Sequence, residues 1–425
     1  NLLTSVMDDM RPENKYLHLM DEQEAITKAQ ALLNRQGDAN VSPLAVYRHA
    51  AKADSVQQRR PNVVLIMMES MSAKFMKHFG QSETLTPFLD SLYTRSISFR
   101  NFYSAGIHTN HGLYATLYSF PAMMKRNLMK GSVIPRYSGL PTVLKENGYY
   151  NFFFMTHEGQ YDNMNAFFRT NGYDEVFSQE DYPADKVVNS FGVQDDFLYD
   201  YAIPVLNQRA ATGQPFFATL LSISNHPPYV IPPFFHPKTS EPEMQIVEYA
   251  DWALRQFFEE ARKQPWFDNT IFVLEGDHGK LVGDAECELP ESYNHIPLMI
   301  YSSRIQPEEK TAFGGQVDIQ PTILGLLNID YLQNNFGVDL LKEERPCMFY
   351  TADNMVVGRN DTLLYLYNYE TQQELTYDIG NGKLNAVPMD DSFLPLKEYS
   401  FSMLQSAEFL VKHGKTLNSI PFTQQ

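Results

Sequence analysis

The stretch Asn62–Met68, with the sequence NVVLIMM, decides the fold that we predict for this chain. An unbroken apolar run of this length is typical of a strand that is buried on both faces of a parallel sheet. Similar runs recur at residues 150–155, 216–223, 270–274 and 296–301. Helical patterns lie between these runs, at residues 86–95, 139–147 and 247–263. The sequence therefore predicts an α/β fold with a mostly parallel sheet flanked by helices.

The two ends of the chain have a different texture. Residues 1–60 are polar and rich in helix formers, with an approximate helical stripe formed by Leu17, Met20, Ala25, Ile26, Ala29 and Leu32. After about residue 346, short strand-like segments are separated by turn signals at 353–354, 359–361 and 380–382, and a helix is predicted near 401–413. We expect a helical connector over residues 1–60, a main domain over 61–345, and a small antiparallel α+β subdomain over 346–425.

The composition excludes several classes of protein. The 425 residues include 34 Lys and Arg and 51 Asp and Glu, which gives a net charge of −17. Such acidity argues against a nucleic-acid binder, because neutralising phosphates requires a basic surface. The two cysteines, Cys287 and Cys347, exclude a disulfide framework and a cysteine-rich zinc site but permit a single bridge. No apolar run reaches the roughly 20 residues that span a bilayer. Because the sequence begins at Asn1 without a Met, we expect it to be a piece of a longer protein.

Polar residues with metal-binding and catalytic chemistry follow the apolar runs. Glu69 ends the first run and His157 the second, Asn225 and His226 follow the third, and Asp277 begins the loop after the fourth. An acid after a strand is commonly a loop residue or a helix cap. Ligands of open α/β sheets gather at the carboxyl ends of the strands, however, so the joint pattern predicts one shared site.

The segment Gly276–Gly279, with the sequence GDHG, is the candidate metal loop. The carboxylate of Asp277 and the imidazole of His278 can both bind one divalent cation, and the flanking glycines permit a tight path of the backbone. A plain turn is the alternative, since Gly-Asp and His-Gly pairs are common in turns. A distant carboxylate from Glu69 favours the metal site, because such a set leaves a coordination position open.

A nucleophile is predicted within residues 101–114, which read NFYSAGIHTNHGLY. Gly106 interrupts a strand-like stretch and a helical pattern resumes at Asn110, so Thr109 is expected at a helix N-terminus. There the amide groups and the helix dipole stabilise an alkoxide or a phosphoryl oxygen. An ordinary threonine cap is the alternative. His108 and His111 flank Thr109; each is a candidate base or substrate contact, although a surface histidine is the more common fate.

These residues resemble a known family. The resemblance rests on the motifs NVVLIMMESM (62–71), TPFLDSL (86–92), NFYSAG (101–106) with Thr109 and Gly112, and GDHG (276–279). Together they resemble the alkaline phosphatase and sulfatase superfamily, and within it the lipoteichoic acid synthase and phosphoglycerol transferase group. Two further segments, MTHEGQYDNM (155–164) and SNHPPY (224–229), are similar to the substrate side of that group. The resemblance covers roughly residues 61–327 and implies a sulfatase-like catalytic domain.

The resemblance implies a role for particular residues. The metal ligands would be Glu69, Thr109, Asp277 and His278, with Thr109 as the nucleophile and manganese as the expected ion, magnesium or zinc being the alternatives. The residues expected to contact the substrate are His226, His157, Asn225, His108 and Asn163. One departure concerns the donor pocket, because synthases carry an arginine before the Asp-Asn-Met stretch where this chain has Tyr161.

The implied function is transfer of glycerophosphate from phosphatidylglycerol to an extracytoplasmic acceptor through a threonine-linked intermediate. The acceptor would be a glycan or a lipid-linked hydroxyl. The resemblance also implies anchoring in the inner (cytoplasmic) membrane through an N-terminal segment outside this sequence, with the catalytic domain in the periplasm or on the extracellular side. The alternatives are a phosphoethanolamine transferase or a phosphodiesterase or phosphatase of the same fold, and a non-catalytic sensor or scaffold. A sulfatase is disfavoured because a Cys-x-Pro-x-Arg motif is absent.

Three secondary candidates complete the interpretation. Residues 123–130, MMKRNLMK, are basic and apolar and would either meet a membrane surface or form an ordinary surface loop. His295 is expected to support the site without binding the metal directly. Asp318 is expected to start a helix.

Overall fold

The computed structural model describes residues 16–34, 42–53, 60–131, 133–380 and 382–418. These residues pack into two compact units that interleave along the chain. Residues 60–104 and 144–312 form what we call the sheet unit, and the described residues within 16–53, 105–143 and 313–418 form what we call the terminal unit. The predicted division at residues 61 and 346 remains a prediction about the domains of the chain.

The strands and helices have the following bounds. The strands are β1 (Tyr47–Ala50), β2 (Asn62–Met68), β3 (Ile97–Tyr103), β4 (Tyr150–Phe154), β5 (Glu175–Phe177), β6 (Phe216–Leu221), β7 (Thr270–Gly276), β8 (Leu298–Tyr301), β9 (Glu308–Gly315), β10 (Tyr331–Asn334), β11 (Met348–Thr351), β12 (Met355–Arg359), β13 (Leu363–Asn368), β14 (Glu374–Gly380) and β15 (Lys383–Ala386). The α-helices are α1 (Glu22–Leu33), α2 (Pro87–Tyr93), α3 (Thr109–Tyr118), α4 (Leu140–Glu146), α5 (Met164–Thr170), α6 (Asp195–Ala210), α7 (Pro242–Ala261), α8 (Ile319–Leu326) and α9 (Leu394–Lys412).

The sheet unit is built around a large mixed sheet with the strand order β5-β4-β6-β2-β7-β8-β3-β9. Strand β2 lies at its centre, parallel to β6 on one side and to β7 on the other. Every residue of β2, β6 and β7 is buried, which explains why these strands read as apolar runs without alternation. The register pairs Met67 with Leu221 and Met68 with Gly276, so the three strands end at one edge of the sheet.

Helices α2, α6 and α7 cover one face of this sheet. Their apolar side chains, among them Leu89, Leu198 and Phe257, form one buried cluster with sheet residues such as Ile66 and Leu274. The burial of this cluster fixes the sheet as a rigid base, so the loops at the strand ends are held in defined positions.

The terminal unit contains the antiparallel sheet β11-β12-β13-β14-β15 and helix α9. Two buried ion pairs hold it together. Arg126 donates to both carboxylate oxygens of Glu408 on α9 at 2.9 and 3.0 Å. Arg345 forms a bidentate pair with the fully buried Asp318. The Asp318 carboxylate also accepts from the amide of Gly315 and precedes α8, as the sequence predicts for a helix-start residue.

The predicted architecture is confirmed: a mostly parallel sheet flanked by helices, with an antiparallel C-terminal sheet. Some local expectations need correction. The run at residues 296–301 becomes β8, which is antiparallel to both of its neighbours. The connector predicted over residues 1–60 does contain α1, but it also contributes β1, which pairs with β10. Parts of that connector, and Asn381 in the predicted turn at 380–382, lie outside the described residues.

The stretch at residues 123–130 does not present its apolar side chains to solvent. Met123, Met124, Leu128 and Met129 are buried in the terminal unit, and Arg126 is used by its ion pair with Glu408. The apolar side chains of this stretch are therefore part of the core, which neither alternative, a membrane-facing surface or an ordinary surface loop, predicts. Among the described residues, no helix combines the length and the apolar character that crossing a bilayer requires.

Candidate metal centre and substrate site

Three potential metal ligands meet where β2 and β7 end. Glu69 follows β2, and Asp277 and His278 follow β7, which is its parallel neighbour. One ligand atom from each of the three lies within 4.8 Å of the other two. The Nε2 atom of His278 is 3.8 Å from a carboxylate oxygen of Glu69 and 3.6 Å from one of Asp277. The structure therefore joins three of the four predicted ligands into one buried cluster.

The loops around this cluster hold the ligands in place. The amide of Ser70 donates to Asp277 at 2.8 Å, and the Ser70 hydroxyl donates to Glu69 at 2.6 Å. The amide of His278 donates to the same Asp277 oxygen at 2.6 Å. A side chain at either flanking glycine would collide with a backbone carbonyl, since a Cβ atom would lie 2.4 Å from the Met71 oxygen at Gly276 and 2.0 Å from the Ser292 oxygen at Gly279. Close packing of the loop thus requires the two glycines of the GDHG sequence.

The electrostatics of the cluster favour a cation. Burial, together with the charge of Asp277, raises the pKa of Glu69 to about 7. Burial opposes charging of His278, but the neighbouring Asp277 and Glu69 outweigh it and raise the pKa of the imidazole. The two buried carboxylates repel each other, and a cation held between them offsets this repulsion. Oxygen and nitrogen donors in this combination fit a divalent cation.

Three histidines at the strand ends share one arrangement. The Nδ1 atoms of His157, His226 and His278 each contact a backbone carbonyl oxygen, at 3.1, 2.6 and 2.7 Å respectively. A carbonyl oxygen only accepts, so Nδ1 carries the proton and Nε2 is the nitrogen that can bind a metal or accept from a substrate. Burial lowers the pKa of His157, which favours its neutral form.

A row of rings lines the substrate side of the sheet unit. His157 lies 4.7 Å from Tyr161, Tyr161 lies 6.4 Å from Phe191, and Phe191 lies 4.0 Å from His226, measured between ring centres. This row lies within electrostatic range of the metal ligands. Burial, followed by the charges of Asp162 and Glu69, raises the pKa of Tyr161. The predicted residues His157 and His226 follow β4 and β6, which run in the same direction as β2, so they lie at the edge of the sheet where the cluster is found.

Asn225 supports the backbone next to the cluster. Its side chain is buried, and its amide donates to the carbonyl oxygens of Glu69 and Ser70, each at 3.1 Å. The Asn225 oxygen accepts from Lys280 at 2.7 Å, and Lys280 also donates to Tyr229 at 3.1 Å. These contacts brace the backbone that carries Glu69. The substrate contact predicted for Asn225 remains a prediction.

The remaining predicted residues lie at the starts of α3 and α5. Asn163 occupies the position before α5, with its backbone in the left-handed region, and its substrate contact remains a prediction. Thr109 is the first residue of α3 in the terminal unit, as the sequence predicts. His108, just before it, contacts Asp353 at 2.7 Å, and this hydrogen bond lowers the pKa of Asp353. His111 is buried, contrary to the surface position expected for it. The roles of Thr109 and His108 remain predictions.

Ser70, Phe191 and Lys280 were not predicted from the sequence. Ser70 directly follows Glu69 and Lys280 lies two residues after His278, so their position near the cluster could have been inferred, although their contacts could not. Nothing in the sequence placed Phe191 beside His226. The Nε2 atom of His295 donates to the Arg100 carbonyl oxygen at 2.8 Å, and its ring stacks on Tyr103. Cys287 and Cys347 are both free thiols in this structure.

Comparison with known proteins finds similarity to lipoteichoic acid synthases. Lipoteichoic acid synthase 1 of Bacillus subtilis is 25% identical over 350 residues, which cover 76% of this chain and 53% of the relative. Lipoteichoic acid synthase 2 of the same organism is 24% identical over 315 residues, covering 67% of this chain and 47% of the relative. The chain thus spans about half the length of these curated relatives.

Solved structures share the fold over nearly the whole chain. A protein in the alkaline phosphatase superfamily from Vibrio parahaemolyticus superposes with a TM-score of 0.82 at 26% identity, covering 94% of this chain and 98% of that one. The lipoteichoic acid synthase LtaP from Listeria monocytogenes superposes with a TM-score of 0.72 at 19% identity, covering 92% and 98%. The family described as Sulfatase matches residues 61–329. This match spans more than half of the chain, which therefore belongs to the sulfatase family.

Proposed function

We propose that this chain is the catalytic part of a metal-dependent phosphoglycerol transferase. The observation that carries the proposal is the cluster of Glu69, Asp277 and His278, with His157 and His226 after neighbouring parallel strands of the same sheet. Family membership and the two lipoteichoic acid synthases indicate an enzyme of the phosphotransferase class. We propose phosphatidylglycerol as the donor and a glycan or lipid-linked hydroxyl as the acceptor.

A divalent ion would be held by Glu69, Asp277 and His278, with Thr109 as the proposed fourth ligand. Bound there, such an ion supplies positive charge that stabilises the phosphoryl transition state and lowers the pKa of a hydroxyl. Manganese is the proposed ion, with magnesium and zinc as alternatives. Ser70 holds a carboxylate oxygen of Glu69, and its amide holds Asp277, so the ligands are oriented before the ion binds.

The proposed reaction has two steps. The Oγ1 atom of Thr109 attacks the phosphorus of phosphatidylglycerol, the bond from phosphorus to the diacylglycerol oxygen breaks, and diacylglycerol leaves with the threonine proton. An acceptor hydroxyl then attacks the phosphorus, the bond to Thr109 breaks, and the acceptor proton returns to Thr109. His157 and His226 present Nε2 to the head group and orient it through hydrogen bonds. The position of Thr109 at the N-terminus of α3 favours negative charge on its oxygen and on the phosphate.

A phospholipid donor implies a location at the membrane. We propose that the catalytic part faces the periplasm or the extracellular side of the inner membrane, attached through a preceding segment of a longer chain.

A second candidate is a phosphoethanolamine transferase or a phosphodiesterase of the same fold. The specific observation in its favour is Tyr161, which stands where synthases carry an arginine and lies half exposed between His157 and Phe191. A neutral ring at this point alters the contacts to the donor head group. A non-catalytic sensor or scaffold is disfavoured, since it has no use for a buried ligand cluster.

Mass spectrometry of the protein incubated with phosphatidylglycerol and Mn²⁺ tests the proposal. We expect a glycerophosphate adduct on Thr109 that disappears in Thr109→Ala and in the presence of a chelator. Thr94→Ala, which changes an exposed threonine of the sheet unit, keeps the adduct. A protein without an adduct that still hydrolyses phosphate esters supports the second candidate. Both enzymatic proposals fail if the protein binds no divalent ion and Thr109→Ala behaves like the wild type.

A further inference from the structure

The sheet unit contains a second concave site, with a volume of about 420 Å³, that the proposed chemistry does not use. It lies between α2, α7 and the loop that leads into α7. Its wall is mostly apolar and is formed by Leu85, Phe88, Phe235 and Trp252. Pockets that bind small molecules have volumes of roughly 300–1,000 Å³ and are lined mainly by apolar and aromatic side chains. The dimensions and lining of this site, which we call the α7 pocket, match that description.

Aromatic side chains extend from the α7 pocket to the surface. Phe235 and Phe234 lie 5.8 and 5.6 Å from Trp252, measured between ring centres. Phe234 is 58% exposed, which is unusual for a phenylalanine in a surface loop. The exposed ring of Phe234 thus extends the apolar lining from Trp252 towards the surface, which suits a hydrocarbon chain that enters from outside.

The mouth of the α7 pocket is basic although the chain as a whole carries −17. Lys238 and Arg255 are exposed lining residues, and His236 stands beside Lys238. Lys238 and Arg255 are therefore available to an anionic group, Arg255 having only a distant contact of 3.7 Å with Glu259.

The two acidic residues of the pocket are already committed to the protein. Glu248 accepts from the amides of Lys238 and Thr239, each at 2.9 Å. Asp251 accepts from the amides of Phe88 and Leu89, each at 2.9 Å. These carboxylates hold backbone groups in place, so Lys238 and Arg255 are the charged lining residues that remain for a ligand. This combination favours an acyl chain with an anionic head group over a carbohydrate.

We propose that the α7 pocket binds an anionic phospholipid, with one acyl chain against Phe235 and Trp252 and the phosphate at Lys238 and Arg255. The choice of phosphatidylglycerol as the lipid rests on the proposed function, whereas the binding of an anionic lipid is argued from the lining of the pocket alone. The loop over residues 226–238 joins His226 of the candidate substrate site to Lys238 of the pocket. Lipid bound here would hold the sheet unit at the bilayer that contains the donor.

The tryptophans of this chain permit a direct test. The sequence has only two, Trp252 in the pocket and Trp266, which is 4% exposed and donates to Asn207. Vesicles containing phosphatidylglycerol with brominated acyl chains quench a tryptophan only on contact. We expect quenching in the wild type and none in Trp252→Phe, where only Trp266 remains. Free glycerophosphate should not compete, because it lacks the acyl chain.

Two variants distinguish the pocket from general contact with the vesicle. Ser91→Phe places a ring at an exposed lining position and should abolish the quenching while the protein unfolds at the wild-type temperature. Neutralising both cations, with Lys238→Gln and Arg255→Gln, should weaken binding about 30-fold. Lys263→Gln removes an exposed charge just after α7 and serves as the control with unchanged binding.

The proposal is overturned if brominated phosphatidylglycerol fails to quench the wild type, or if Ser91→Phe is quenched as strongly as the wild type. Equal quenching by brominated phosphatidylcholine would overturn the role of Lys238 and Arg255. These readings involve no turnover, so they are independent of whether an adduct forms on Thr109.

Discussion

Replacing Asn225 by alanine tests whether this residue braces the metal cluster. The change removes two hydrogen bonds to the carbonyl oxygens of Glu69 and Ser70 and one from the charged Lys280. A neutral hydrogen bond contributes about 1 kcal/mol net and one to a charged group about 1.5–3 kcal/mol. Because these bonds share one side chain and are not additive, we expect the free energy of unfolding to fall by about 3 kcal/mol.

The same change should also weaken metal binding. Loss of a group that orients a ligand typically reduces metal affinity by about 10–100-fold. Urea titrations in the presence of a chelator measure the loss of stability, and isothermal titration with Mn²⁺ measures the affinity. Asn171→Ala is the matched control, because Asn171 is also buried and its amide donates to the Phe167 carbonyl oxygen at 2.9 Å, away from the cluster. The control should lose stability but keep the wild-type affinity for Mn²⁺.

The bracing role is refuted if Asn225→Ala binds Mn²⁺ like the wild type and is no less stable than the Asn171→Ala control. A rise in KM for the lipid donor with both quantities unchanged would instead support the substrate contact predicted from the sequence.

Three further predictions concern stability. Arg345→Leu leaves the buried Asp318 without its partner, so urea titrations should show a loss of about 3–5 kcal/mol, partly recovered by adding Asp318→Asn. Gly192 has a φ of 89°, and a Cβ atom there would lie only 1.7 Å from a carbonyl oxygen, whereas Gly213 has a similar φ of 77° in open space. Gly213→Ala should lower the free energy of unfolding by roughly 1–2 kcal/mol, and Gly192→Ala should lower it clearly more. Equal losses in the two variants would contradict the steric argument. Burial raises the pKa of Asp251 to about 7, so the folded protein holds a proton that the unfolded chain releases above about pH 4. The stability from this proton is present below about pH 4 and lost as the pH rises to about 7, and Asp251→Asn should flatten that part of the curve.

The fold could be predicted because its central strands are buried on both faces. β2, β6 and β7 read as apolar runs, and the residues after them lie together because parallel neighbours end at one edge. The direction of β8 could not be predicted, since an apolar run is the same for a parallel and an antiparallel strand. β1 was missed because its four residues, YRHA, gain their strand conformation from pairing with the distant β10.

Part of the candidate site could also be predicted from the sequence. Glu69, Asp277 and His278 could be grouped from the sequence because each has a side chain that can bind a metal and each follows the end of a buried strand. The hydrogen bond from Lys280 to Asn225 could not be predicted, because the two residues are 55 positions apart and both residue types are common in surface loops. Phe191 lies beside His226 only through the folding of an irregular segment.

The central position of β2 has a consequence for synthesis of the protein. β2 is among the first segments of the sheet unit to leave the ribosome, yet its two hydrogen-bonding partners, β6 and β7, follow only at residues 216–221 and 270–276. Until then the strand NVVLIMM exposes two unpaired edges and two apolar faces, the combination that promotes aggregation of nascent chains. A chain truncated between β2 and β7 should therefore require a chaperone to stay in solution, whereas one that extends past Gly276 can close its central strands.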